Sequence, residues 1–170
     1  MKRLTLMRHA DARWKDAGLS DLERPLSRRG SNAAQLMARR LLELKLVPDL
    51  VLASPARRAQ QTAEVLAREL SLSARRVLRE EGLYLAGAAD LLASARRSGP
   101  RVAHLMIVAH NPGLSELAEE LLPQGEARSL ATAGFCSMAF ACPHWEELSA
   151  ATLTGVQQES PPAGLFGLFA

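Results

Sequence analysis

The chain has 170 residues, of which 48% are apolar and 23% charged, with a net charge of +3. That length suffices for one domain with a real core, and the balance excludes a disordered chain. No apolar run approaches the ~20 residues that span a bilayer. With 4% aromatic residues and no recognition motif, a nucleic-acid partner is not expected. Most of the paired arginines (Arg28-Arg29, Arg39-Arg40, Arg57-Arg58, Arg75-Arg76, Arg96-Arg97) read instead as solvated helix faces.

In chain order, residues 3–7 form the first apolar segment. Arg8 and His9 interrupt it too early for a secretory signal, so it reads as a buried strand in a cytoplasmic protein. Leu26-Ser27 leads into a long helix with apolar positions at Ala33, Ala34, Met37, Leu41 and Leu44. Residues 50–53 give a second strand, and a helix from Pro55 follows through Ala59, Thr62, Ala63, Leu66 and Leu70. A helix over 88–97, a strand over 103–109 and a helix over 112–122 come next. Strands over 135–141 and about 150–156 extend the far side of the sheet. Strands alternating with helices predict an α/β domain, a mostly parallel central sheet flanked by helices, over residues 1–157. Residues 158–170 form an apolar tail, with Pro161-Pro162 before Leu165-Phe166 and Leu168-Phe169. Cys136 and Cys142 stand at the ends of a strand of ~20 Å, too far apart for a disulfide, and read as buried thiols.

Ligands of open α/β sheets bind beyond the carboxyl ends of the strands. Arg8-His9 follows the first strand, Ser54-Pro55-Ala56-Arg57-Arg58 the second, and His110-Asn111-Pro112-Gly113 the third. Ser54-Pro55 and Asn111-Pro112 each place an N-cap residue before a proline suited to the first helical position. Both helices are therefore expected to aim their free N–H groups at the same edge. A lone histidine at a strand end is more often structural, but two at equivalent positions, beside arginines and helix starts, describe an anion site. Phosphate fits it, because the guanidinium fork matches its oxygens. Zinc is disfavoured, since Arg8 would sit against the cation, and there is no Walker loop.

A neutral imidazole attacks phosphorus and holds the group covalently, while arginines and a second histidine neutralise its oxygens without a metal or other cofactor. Protonation of the leaving atom calls for an acid, with Glu80, Glu81 and Asp90 as candidates.

These residues resemble the histidine phosphatase superfamily, the phosphoglycerate mutase-like fold. Arg8-His9-Ala10 is similar to its first motif, Ser54-x-x-x-Arg58-Ala59-x-Gln61-Thr62 to its second and Val108-Ala109-His110-Asn111 to its third, in order over residues 8–113. Arg8-His9-Ala10 and Asp21-x-x-Arg24-Pro25-Leu26-Ser27-x-Arg29-Gly30 further resemble the SixA-type phosphohistidine phosphatases. The resemblance implies a three-layer sandwich. It makes His9 the nucleophile and Arg8, Arg58 and His110 the phosphate pocket, with Arg58 rather than Arg57 chosen because the family's arginine directly precedes the alanine. Glu81, three residues before Tyr84, becomes the expected proton donor. Asn111 and Arg24 are expected at the phosphate or substrate.

The function expected is cofactor-independent removal of phosphate from phosphohistidine in a protein partner such as a histidine phosphotransfer domain. Beside the larger insertions usual in the superfamily's small-molecule enzymes, the short connection from Ala10 to Pro25 implies, by that resemblance, a large substrate. A small-molecule phosphomonoesterase acting on a phosphorylated metabolite is the alternative within the superfamily. A non-catalytic phosphate-binding scaffold is the alternative outside enzymes.

Overall fold

Side chains alternate along the central strands, and that period of two divides the core between two faces of one sheet. The computed structural model describes residues 1–14, 18–127 and 129–163. In order the elements are β1 (Lys2–Arg8), α1 (Arg28–Glu43), β2 (Leu50–Ala53), α2 (Arg57–Glu69), β3 (Val77–Arg79), α3 (Ala88–Arg96), β4 (His104–Ala109), α4 (Gly113–Leu121), β5 (Phe135–Phe140) and β6 (Leu153–Glu159). Leu4 and Leu6 of β1, with Leu105 and Ile107 of β4, pack beneath α3 and α4. Met7, Met106 and Val108 face the other way, against α1 and α2. The result is the three-layer sandwich that the resemblance implied.

The sheet runs β3-β2-β4-β1-β5-β6. β1, β2, β3 and β4 are parallel, whereas β5 is antiparallel to β1 and β6 to β5. β4, the last parallel strand in sequence, lies between β1 and β2. The chain thus reverses its winding direction there and leaves a crevice at the carboxyl ends of these three strands.

Several local expectations are corrected. β3 was not foreseen, being three residues of a partly exposed edge strand with too little apolar character to register. β6 begins at Leu153 rather than near 150, after a single 3-10 turn over Ala150–Thr152. Ser54 and Asn111 are not N-caps: α2 starts after Ala56 and α4 after Pro112, and neither start has a side-chain cap. Both polar side chains are drawn to tertiary partners instead. In α1 the local signal holds, and Ser27 Oγ accepts the Gly30 N–H at 2.9 Å. A Cβ on Gly30 would overlap the carbonyl oxygen of Asp11, so only glycine lets this helix start approach the loop after β1.

Cys136 and Cys142 are buried free thiols, and burial pushes Cys136 up to about 12. Among the described residues no helix is long and apolar enough to cross a membrane. Leu165, Phe166, Leu168 and Phe169 of the apolar tail lie outside the described residues.

Candidate active site

Sheet hydrogen bonding continues one residue past the parallel strands. The His9 N–H donates to the Ala109 carbonyl at 3.1 Å, and the Ser54 N–H to the Val108 carbonyl at 2.9 Å. His9 and Ser54 are therefore held by the sheet itself, and His110 directly follows the last residue of β4. The rings of His9 and His110 stand 5.1 Å apart. Arg58, in the first turn of α2, reaches between them. Its Nε donates to His9 Nε2 at 3.3 Å, and its Nη2 lies 3.5 Å from His110 Nδ1.

His9 Nδ1 lies 2.8 Å from the Ala10 carbonyl, which accepts and so fixes the proton on Nδ1. Nε2 is left with its lone pair facing Arg58. Burial pushes His9 down to about 4, aided by the charges of Arg58, Arg8 and Arg24 and opposed by the bond to Ala10. The ring is thus neutral near pH 7, the form that attacks phosphorus. The loop behind it is fastened by Thr62, whose hydroxyl accepts the Ala10 N–H at 3.0 Å and donates to the Arg58 carbonyl at 2.7 Å.

On the opposite side, Ser54 Oγ and His110 Nε2 are 2.7 Å apart. That oxygen also accepts the Ala56 N–H at 3.3 Å. Arg58 Nη2 can only donate, so its approach makes His110 Nδ1 the acceptor and leaves the His110 proton on Nε2, directed at Ser54 Oγ. Burial, with His9 and Arg58 acting in the same sense, pushes His110 down to about 3.

Arg8 donates from Nη1 to the Leu130 carbonyl at 3.2 Å. Its Nε is buried without a hydrogen-bond partner, and burial lowers its pKa. An unsatisfied buried guanidinium N–H is costly, and an oxyanion between His9 and His110 would relieve it.

Of the predicted residues, then, Arg8, His9, Arg58 and His110 come together. Asn111 does not present its amide to the crevice: Nδ2 donates to Leu130 O at 2.9 Å, and Oδ1 accepts from Ser115 at 2.9 Å. It braces the same carbonyl that anchors Arg8. Arg24 anchors its loop, donating from Nε to Arg13 O at 2.9 Å and from Nη1 to Asp21 Oδ1 at 3.0 Å, while stacking over Trp14. Glu81 is turned away from the expected role of acid. Its side chain pairs with Arg79 and is 72% exposed.

The carboxylate that does reach the site is Asp21, which the composition of the strand ends could not reveal. Asp21 Oδ2 accepts from Arg58 Nη2 at 3.0 Å and from the Tyr84 hydroxyl at 2.6 Å, and its carbonyl accepts from Arg58 Nη1 at 2.6 Å. Tyr84 meets His110 edge-on at 5.6 Å. The bond from Tyr84 holds the Asp21 carboxyl down at about 2, with Arg58 and Arg24 contributing and burial opposing. Both residues stood in segments quoted above, Asp21-x-x-Arg24 and Glu81-Gly82-Leu83-Tyr84, but nothing in either segment says that they meet. Among the described residues no group of three or more His, Cys, Asp or Glu side chains is placed to hold a metal ion.

Comparison with known proteins gives the same picture. The model of the histidine phosphatase superfamily, branch 1, matches residues 4–84. Phosphohistidine phosphatase SixA of Escherichia coli is 36% identical over 121 residues, covering 69% of this chain and 73% of the relative. A SixA-type protein from Nakamurella multipartitia superposes with a TM-score of 0.79 at 27% identity, over 95% of this chain and 97% of its own. The protein histidine phosphatase SixA complexed with tungstate gives a TM-score of 0.73 at 28% identity, over 94% and 97%.

Proposed function

The chain belongs to the histidine phosphatase superfamily, in its SixA-type branch, and from that premise we propose that it dephosphorylates phosphohistidine in a partner protein through a phosphoryl group held on His9. His9 Nε2 attacks phosphorus while Nδ1 keeps its proton on the Ala10 carbonyl. Arg8 and Arg58 donate to the oxygens of the transferring group, with the His110 ring beside them, 5.1 Å from that of His9. The substrate's P–N bond breaks with its electron pair going to the leaving imidazole. Water then attacks phospho-His9, releasing inorganic phosphate and restoring the neutral ring. A tungstate complex of a SixA relative supports an oxyanion pocket in this branch.

The observation that carries the choice of substrate is the state of the carboxylates. Glu81 faces Arg79 in solvent, and Asp21, which touches Arg58, is held ionised. An alkoxide leaving group calls for an acid to protonate it. An imidazole whose second nitrogen is already protonated leaves neutral and needs none.

The test is incubation of the wild-type protein and His9→Ala with a phosphorylated histidine phosphotransfer domain, para-nitrophenyl phosphate and a panel of sugar phosphates. His9-dependent loss of phosphohistidine, with slow turnover of the esters, is the expected result. Preference for one small ester would overturn the protein substrate while leaving the histidine nucleophile in place. Absence of His9-dependent turnover on every substrate would point to a phosphate-binding scaffold.

A further inference from the structure

We propose that Asp21 is a specificity residue that receives the N–H of a departing imidazole and thereby selects phosphoramidate over phosphoester substrates; this rests on the function proposed above. A carboxylate beside a phosphate pocket is electrostatically adverse, because it repels the phosphoryl oxygens. Asp21 nevertheless contacts the pocket's buried arginine through both side chain and backbone. Arg58 is 5% exposed and Asp21 44%, so the carboxylate lies on the solvent side of the guanidinium. His9 attacks from the protein side, and the leaving group of an in-line displacement departs on the opposite side, towards solvent. Asp21 is thus placed at the mouth through which that group leaves.

Its protonation state suits one class of leaving group. Tyr84, Arg58 and Arg24 all donate to it, so it accepts hydrogen bonds and has no proton to give. For an ester oxygen this is the wrong partner. For a phosphoimidazole protonated on its far nitrogen it is the right one, since an ionised acceptor holds that N–H in place. The two imidazoles are then treated alike. The N–H of His9 is held by the Ala10 carbonyl while its Nε2 forms the new P–N bond. The N–H of the substrate ring is held by Asp21 while its other nitrogen takes the electron pair of the breaking P–N bond. One P–N bond replaces another, no proton changes hands, and a neutral imidazole departs.

The experiment compares kcat/KM for N-phosphorylimidazole and para-nitrophenyl phosphate in the wild type, Asp21→Asn and Asp21→Ser. Asp21 is exposed and both replacements are small, and thermal melting of each variant checks that the fold is kept. The expected result is a change of opposite sign. Turnover of N-phosphorylimidazole falls about tenfold or more through loss of the ionised acceptor. Turnover of the ester rises about two- to fivefold as repulsion of the phosphoryl dianion is removed. Equal losses on both substrates would overturn the proposal and reduce Asp21 to a residue that positions Arg58. No change on either would overturn it as well. A wild-type protein that hydrolyses the ester but neither N-phosphorylimidazole nor a phosphohistidine protein would overturn the proposed function together with this inference. Unaltered selectivity in a wild type active on phosphohistidine would overturn the inference alone.

Discussion

Ser54 Oγ lies 2.7 Å from His110 Nε2, joining the end of β2 to the end of β4 across the crevice. That oxygen accepts the Ala56 N–H as well, and Nδ1 of the ring faces the donor-only Arg58 Nη2 at 3.5 Å, so His110 is locked with its proton on Nε2, given to the serine. A residue that looked like a helix cap is therefore the group that sets the tautomer of the second histidine.

Ser54→Ala is expected to release that lock. His110 would then populate both neutral tautomers, and kcat/KM would fall about 10- to 100-fold, as for loss of an oriented group beside the transferring phosphoryl. Ser54→Thr, which keeps the hydroxyl, should retain most of the activity. Nitrogen-15 chemical shifts of the His110 ring provide the direct reading: one protonated Nε2 in the wild type and an averaged pattern in the alanine variant. A wild-type ring protonated on Nδ1 would refute the assignment.

Glu81→Gln is expected to change kcat/KM by less than about twofold. An exposed ion pair such as Glu81 with Arg79 contributes little, and this side chain is engaged by Arg79 in solvent. Steady-state kinetics on a phosphohistidine protein checks this, and a hundredfold loss would restore Glu81 as the acid.

Stability should fall as the solution is acidified from about pH 6.5 towards pH 4. His9 and His104 are held down at about 4 and His110 at about 3, chiefly by burial, against an ordinary value of 6.5. Between the folded and unfolded values the unfolded chain binds more protons, so unfolding free energy rises with pH in that window and is lost below it. His104, bonded to Thr5 and to the Val47 carbonyl away from the site, contributes on the order of 3 kcal/mol. Urea midpoints at pH 7 and pH 5 measure the effect. His104→Gln should show a smaller decline between the two pH values, and an identical decline would show that His104 does not contribute.

The alternation of strands and helices was legible without coordinates, because apolar period and length distinguish buried strands from amphipathic helices. So was the clustering of His9, Ser54, the Arg57-Arg58 pair and His110, since each lies within a few residues of the carboxyl end of a parallel strand and topology brings those ends together; the family resemblance then chose Arg58. Local chemistry also placed Ser27 correctly as a helix cap, where its partner Gly30 is three residues away. The same rule failed at Ser54 and Asn111, because the better partners of these side chains, His110 and Leu130, are distant in sequence. β3 escaped notice because three half-exposed residues carry no periodicity. Asp21 and Tyr84 are 63 residues apart, and Tyr84 follows β3, the strand without a signal in the sequence. Their meeting at Arg58, and the turning of Glu81 towards Arg79, depend on how two loops pack over the end of the sheet. Residue type and strand order thus determine which groups surround the crevice. Tertiary packing decides which carboxylate meets Arg58, because loop hydrogen bonds join residues with no periodic relation in the chain.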